Sequence, residues 1–79
     1  MRLDKYLKVS RLIKRRTIAN EACDTGRVSI NGVVAKASTN VKVGDIIKIN
    51  FGNKEVQIKV TNVQDIVKKE EAKELFIYI

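Results

Sequence analysis

The sequence predicts an α+β fold in which two N-terminal helices pack on a small, mostly antiparallel, twisted β-sheet. Three observations predict it. Apolar residues recur every three or four positions over the first quarter of the chain, which is the period of an amphipathic helix. After Gly26 the period changes to two, the period of a half-buried strand. Asn31-Gly32 then separates two β-prone runs, which is the strongest short signal for a hairpin.

Leu3, Tyr6 and Leu7 predict the first helix, because they lie at i, i+3 and i+4 and form one apolar stripe. As an alternative, Tyr6 could stack on a nucleic-acid base, but its place on this stripe favours packing in the core. The residues from Ser10 to Lys14 are interpreted as a connection to the next helix.

A second helix is predicted from about Lys14 to Thr25, and Gly26 suits the left-handed position that ends a helix. Its expected buried side consists of Ile18, Ala19, Ala22 and Cys23. Its first turn would hold Lys14, Arg15 and Arg16, where the positive end of the helix dipole disfavours cations. A phosphate would suit that place, because backbone N–H groups, the dipole and the basic side chains would converge on it.

Five short strands are predicted after Gly26, over residues 27–30, 33–36, 46–51, 55–63 and 75–79. Gly44-Asp45 and Gly52-Asn53-Lys54 supply the turns between the middle strands. Residues 65–74 carry charges of both signs and predict a helical turn or a loop with a solvated face. The remaining aromatic residues are expected in the core or at the sheet edge; they are Phe51, Phe76 and Tyr78.

The formal charge of +7 is concentrated at one end of the chain. Residues 1–16 hold seven bases and one acid, a net charge of +6, and all five arginines lie within the first 27 residues. Arginine binds phosphate with two parallel hydrogen bonds, whereas lysine acts as a hydrated point charge. We therefore interpret the N-terminal third as a polyanion-binding face. The alternative is a solvated charge run without a ligand.

The composition excludes most catalytic chemistry. With no His and one Cys, the chain offers no zinc or iron–sulfur site and no Ser-His or Cys-His pair, so we expect neither an enzyme nor a cofactor. One Cys makes no internal disulfide, the start of the chain lacks an apolar targeting segment, and no run is long enough to span a bilayer. We expect a cytoplasmic protein. Binding to an anionic membrane is a weaker alternative, because it would need the large apolar residues that the core requires.

The order of these elements resembles the S4 RNA-binding domain, a two-helix αL motif followed by strands. The resemblance covers residues 1 to about 50, and residues 51–79 add the C-terminal strands of what we expect to be one domain over residues 1–79. The matching segments are Arg2-Leu3-Asp4-Lys5-Tyr6-Leu7, Lys14-Arg15-Arg16-Thr17, Gly26-Arg27-Val28, Ile30-Asn31-Gly32 and Val41-Lys42-Val43-Gly44-Asp45. Over its whole length the chain is similar to the stand-alone RqcP (YabO) family of bacteria, relatives of the small ribosome-binding heat-shock protein.

This resemblance implies association with a dissociated large ribosomal subunit that still carries peptidyl-tRNA on a stalled nascent chain. The implied partners are large-subunit ribosomal RNA, peptidyl-tRNA and, on the same particle, the RqcH factor that adds C-terminal tails; we expect the protein itself to be a monomer. The alternative is a ribosome-assembly or general translation factor that uses the same RNA-binding face.

The resemblance also implies which residues face RNA. They are Arg2, Lys5, Arg11, Lys14, Arg15, Arg16, Arg27 and Lys36. Asp4 is unexpected in a polyanion-binding face. Asp4 either orients a neighbouring Arg or Lys side chain, with Arg16 the first choice, or interacts favourably with the positive end of the dipole at the start of the first helix. The heat-shock relatives carry a long basic C-terminal extension that this chain lacks, so affinity should depend on the N-terminal face.

Overall fold

The computed structural model describes all 79 residues and confirms the predicted α+β fold. Helix α1 spans Leu3–Val9 and helix α2 spans Arg16–Asp24. The strands are β1 (Val28–Ile30), β2 (Val33–Val34), β3 (Ile46–Asn50), β4 (Glu55–Val60) and β5 (Phe76–Tyr78), and a 3-10 helix at Lys69–Glu74 precedes the last strand. No helix combines the length and the apolar run that crossing a membrane requires.

The five strands form one antiparallel sheet in the order β2-β1-β3-β4-β5. Alternate residues point to opposite faces, so Ile47 and Ile58, which lie opposite one another, are both fully buried under the helices. Lys48 and Lys59 are exposed on the other face. The hydrophobic core therefore lies between the helix pair and one face of the sheet.

Helix α1 is buried along its predicted stripe: Leu3, Tyr6 and Leu7 have no exposed surface. The packing of Tyr6 in the core is thereby confirmed. Its hydroxyl group donates a hydrogen bond of 2.8 Å to the carbonyl oxygen of Leu75, just before β5. The first helix is thus tied to the C-terminal part of the chain.

The start of α1 is fixed by residues that precede β3. The N–H of Leu3 donates to the carbonyl oxygen of Thr39 at 2.8 Å, and that of Asp4 donates to Ala37 at 3.2 Å. Arg2 also forms a bridge with Asn40. These contacts satisfy N–H groups that a helix start leaves without partners, and they hold the first residues of the chain in place.

The predicted start of α2 at Lys14 is wrong, because the helix begins at Arg16. Ile13 is buried, and its N–H donates to the carbonyl oxygen of Leu7 at 3.1 Å, which holds the connection in an irregular path. Arg15 then has an extended backbone, with φ −118° and ψ 133°. Of the three predicted cations only Arg16 lies in the first helical turn.

The buried side of α2 is narrower than predicted. Ala19 and Cys23 are buried, as predicted, but Ala22 is half-buried and Ile18 is 49% exposed. Since α2 packs mainly on α1, only the row of residues four apart through Ala19 and Cys23 faces the interior. Gly26, with φ +78°, ends the helix as predicted.

The Asn31-Gly32 hairpin is confirmed: both residues have positive φ, 53° and 83°, as a two-residue turn of the mirror-image type requires. Strand β4 is shorter than predicted and ends at Val60. The N–H groups of Thr61 and Asn62 both donate to the carbonyl oxygen of Leu75, so the chain leaves the sheet there. Residues 61–68 form a connection to the 3-10 helix.

Replacing Tyr6 with Phe should lower the free energy of unfolding by about 1 kcal/mol, because the buried carbonyl of Leu75 loses its side-chain donor. Urea unfolding followed by circular dichroism measures this. Tyr78→Phe is the matched control, since Tyr78 is 71% exposed and should lose almost nothing. Equal losses for the two variants would contradict the assignment.

Candidate nucleic-acid interface

A buried carboxylate lies between the two helices. The side chain of Asp4 is 3% exposed, and its oxygens accept hydrogen bonds from the backbone N–H of Lys5 at 2.8 Å and from Asn20 Nδ2 at 3.2 Å. Arg2 Nε lies 3.2 Å from Oδ1, and Arg16 Nε lies 3.5 Å from Oδ2. Asp4 therefore contacts two arginines that are 14 positions apart in sequence.

Local sequence and helix packing together build this cluster. Arg2 immediately precedes α1 and Asp4 lies in its first turn. Arg16 and Asn20 are four residues apart and therefore share one side of α2. The sequence analysis does not include Asn20 in the site, although its position four residues after Arg16 places both side chains on the same side of a helix.

The two arginines are only half-covered: 52% of the Arg2 side chain and 50% of the Arg16 side chain are exposed. Arg16 contacts Asp4 through Nε alone, so its two terminal nitrogens have no protein partner. A guanidinium held at one edge and open at the other is well placed to donate to a phosphate oxygen. Asp4 and Arg16 are in contact, as an orienting role for Asp4 requires. Asp4 also lies in the first turn of α1, where an acid interacts favourably with the helix dipole.

Two opposing effects set the protonation of Asp4. Burial alone would raise the pKa of Asp4, but the hydrogen bonds from Asn20, Arg2 and the Lys5 backbone, together with the charge of Arg16, outweigh it. The pKa of this carboxyl group is therefore lower than its ordinary value. Asp4 is ionised at neutral pH and offsets one of the two arginine charges, which leaves the cluster with a net positive charge.

A second group of cations surrounds a cavity of about 240 Å³ beside the end of α1. Lys8, Arg11 and Lys14 line one side, and residues 65–67 line the other. Arg11 has a φ of 62°, the left-handed region that glycine adopts more easily. Lys5 lies nearby in sequence, but its ammonium group is 3.3 Å from Asp65 and is thus partly neutralised.

The other predicted cations are exposed and line neither the Asp4 cluster nor the cavity beside α1. Arg15 is exposed and lies just before α2. Lys36 is exposed three residues before Thr39, whose carbonyl oxygen accepts a hydrogen bond from the first N–H of α1. Arg27 borders an apolar groove of about 300 Å³ that it shares with Lys14, with Phe51 at its side. Lys8 was missing from the predicted RNA-facing set, although its charge and its place on α1 were visible in the sequence.

The remaining metal-ligating and nucleophilic groups were compared with the requirements of a metal site and of a reactive thiol. No three His, Cys, Asp or Glu side chains come together as a metal site would require. Burial and the neighbouring charges of Asp4 and Asp24 raise the pKa of the Cys23 thiol to about 11. The thiol is therefore protonated at neutral pH and is a poor nucleophile.

We predict that Asp4→Asn lowers the free energy of unfolding by about 1–3 kcal/mol at neutral pH, since two arginines lose their buried charge partner. Because the pKa of Asp4 is lower in the folded state, its ion pairs contribute fully to stability above the ordinary aspartate pKa of about 3.9. This contribution to stability is lost as the pH falls through the lower pKa of the folded state. The stability difference between wild type and Asp4→Asn should therefore shrink towards pH 2. Denaturant unfolding at several pH values measures it, with the exposed Glu21→Gln as the control. A constant difference would contradict the electrostatic origin.

The chain is similar in sequence to a known domain family and to named bacterial proteins. The family model of the S4 domain matches residues 1–47. The RQC P-site tRNA stabilizing factor of Halalkalibacterium halodurans is 60% identical over 76 residues, which are 96% of this chain and 86% of that protein. The protein of the same name from Bacillus subtilis is 58% identical over 76 residues, 96% of this chain and 88% of its own length.

The architecture is also similar to a solved structure. The trimeric structure of heat shock protein 15 from Vibrio cholerae matches with a TM-score of 0.92 and 32% sequence identity. The match covers 100% of this chain and 81% of that one. The overall fold is thus a known one, and the chain belongs to the S4 domain family.

Proposed function

We propose that this protein binds the RNA of the large ribosomal subunit and the peptidyl-tRNA in its P site, and that it supports C-terminal tailing of stalled nascent chains. The single observation that carries the proposal is the Asp4 cluster, in which a buried carboxylate holds two half-exposed arginines at the basic end of an S4 domain. Relatives about 58–60% identical to this chain are named RQC P-site tRNA stabilizing factor, which supports P-site tRNA as the RNA.

The face suits a structured RNA more than an unpaired strand. Its cations can contact phosphate and ribose oxygens, which position a protein on a helix without reading the bases. A double-stranded RNA is recognised mainly by its shape and its 2′-hydroxyl groups. Because each bound phosphate releases counterions, we expect the affinity to fall steeply with salt.

We propose further that all 79 residues act as one RNA-binding unit. The core that buries Leu3 and Tyr6 also contains Ile58, Leu75 and Phe76, so the C-terminal strands support the helices that carry the arginines. The Tyr6–Leu75 hydrogen bond supports the same conclusion.

We propose a cytoplasmic, non-enzymatic monomer that works on the same particle as the RqcH tailing factor. The protonated Cys23 thiol supports a binding role over catalysis.

Sedimentation of tagged protein through a sucrose gradient, with sequencing of the RNA and proteins that migrate with it, tests this function. We expect it to migrate with large subunits that carry peptidyl-tRNA. Migration with immature particles alone would instead indicate an assembly factor. Recovery only at the top of the gradient at low salt would contradict the ribosomal function altogether.

Arg15→Ala and Arg16→Ala should each weaken RNA binding by about 1–2 kcal/mol and reduce the slope of log affinity against log salt by roughly 1, because each removes one phosphate contact. Fluorescence anisotropy with labelled tRNA at several salt concentrations measures both quantities. Lys69→Ala is the control, since Lys69 lies on the exposed 3-10 helix and should change affinity by less than about 0.5 kcal/mol. A larger loss for Lys69→Ala than for Arg16→Ala would place the interface elsewhere.

A further inference from the structure

We propose that residues 65–67 form the second wall of the RNA-binding cleft and that Ile66 packs against a nucleotide whose phosphates lie on Lys8, Arg11 and Lys14. This inference rests on the proposed function and extends it, because it assigns an apolar contact residue outside the two-helix motif. Residues 61–68 are an irregular connection that follows β4 and lies beyond the residues matched to the S4 domain.

The cavity beside α1 provides the space for such a contact. Lys8 and Val9 come from the last turn of α1, and Arg11 and Lys14 come from the connection that follows it. Residues 65–67 lie across the cavity. The resulting cleft has a volume of about 240 Å³, with three cations on one wall.

Ile66 is exposed to solvent, while the residues on both sides of it contact the rest of the protein. It is 91% exposed, more than any other large hydrophobic residue of the chain. On one side Asp65 pairs with Lys5 of α1 at 3.3 Å, and on the other Val67 is half-buried against the core. A single exposed apolar side chain is common on protein surfaces. This one is held at the rim of a cavity where three cations converge, so it is positioned for a ligand.

The backbone at Arg11 independently indicates that the cleft is built for binding. Arg11 directly follows the Ser10 that ends α1, and its φ of 62° is the left-handed conformation that glycine adopts without steric strain. The chain has a long cationic residue at this strained position, and that residue lines the cleft. A residue that served only to end the helix would not need the guanidinium.

Charge and polarity together identify the occupant as a nucleotide segment of RNA. Three cations call for a ligand with closely spaced negative charges, and the single acid in the cleft, Asp65, is already paired with Lys5. An RNA strand carries phosphates at such spacing and, between them, ribose groups whose carbon atoms can contact an isoleucine. An acidic peptide would satisfy the cations too, and the experiment distinguishes it.

The first measurement is the affinity for a labelled tRNA transcript over a range of salt concentrations. We expect Ile66→Ala to weaken binding by about three- to tenfold at every salt concentration, because an apolar contact releases no counterions. Lys8→Ala should instead reduce the salt slope, and Arg11→Gly should weaken binding without lowering the melting temperature. Val43→Ala is the control, since Val43 is also exposed in an irregular segment but lies outside the cavity.

The second measurement replaces Ile66 with the photoreactive residue p-benzoylphenylalanine and irradiates the protein with large ribosomal subunits. A crosslinked product that ribonuclease shortens would support the proposal. A crosslink to protein alone, or an affinity of Ile66→Ala equal to that of wild type or of Val43→Ala, would overturn it while the RNA-binding function stands. A wild-type protein that binds no tRNA and no large subunit would overturn the inference and the proposed function together.

Discussion

The carboxylate of Asp4 is the constraint on which the helical face depends. Arg2 immediately precedes α1 and Arg16 begins α2, and without a shared anion their charges would oppose the close packing of α1 on α2. A buried acid permits that packing and holds each guanidinium by one edge. The cost of burying the charge is offset by four separate donors, which also explains why the group stays ionised.

The sheet gives this face its rigidity. Strands β3 and β4 bury Ile47, Ile49 and Ile58 beneath the helices, and the segment before β3 binds the first N–H groups of α1. The hydroxyl of Tyr6 reaches the C-terminal part of the chain at Leu75. Contacts far apart in sequence therefore hold a short helix of seven residues, which would not be stable alone in water.

Features set by local sequence could be predicted, whereas those set by tertiary contacts could not. The stripe of α1 and the Asn31-Gly32 turn follow from spacing and from residues that tolerate positive φ, and both are present. The start of α2 was misplaced, because the burial of Ile13 and its bond to Leu7 decide where the helix begins. In the site, a contact between Asp4 and Arg16 was one of two alternatives for Asp4, and the structure contains this contact. The approach of residues 65–67 to Lys8 and Arg11 joins segments more than 50 positions apart, and no local pattern encodes it.

We propose that Asp4 acts on RNA binding through Arg2 and Arg16, the two arginines that it contacts. The most direct measurement is the effect of Asp4→Asn on affinity for large ribosomal subunits that carry P-site tRNA, made once in the wild-type chain and once in the Arg2→Ala/Arg16→Ala background. We expect a clear loss of affinity in the wild-type chain and no loss in the double variant, where neither arginine remains to be positioned. Equal losses in both backgrounds, with both proteins folded, would contradict it.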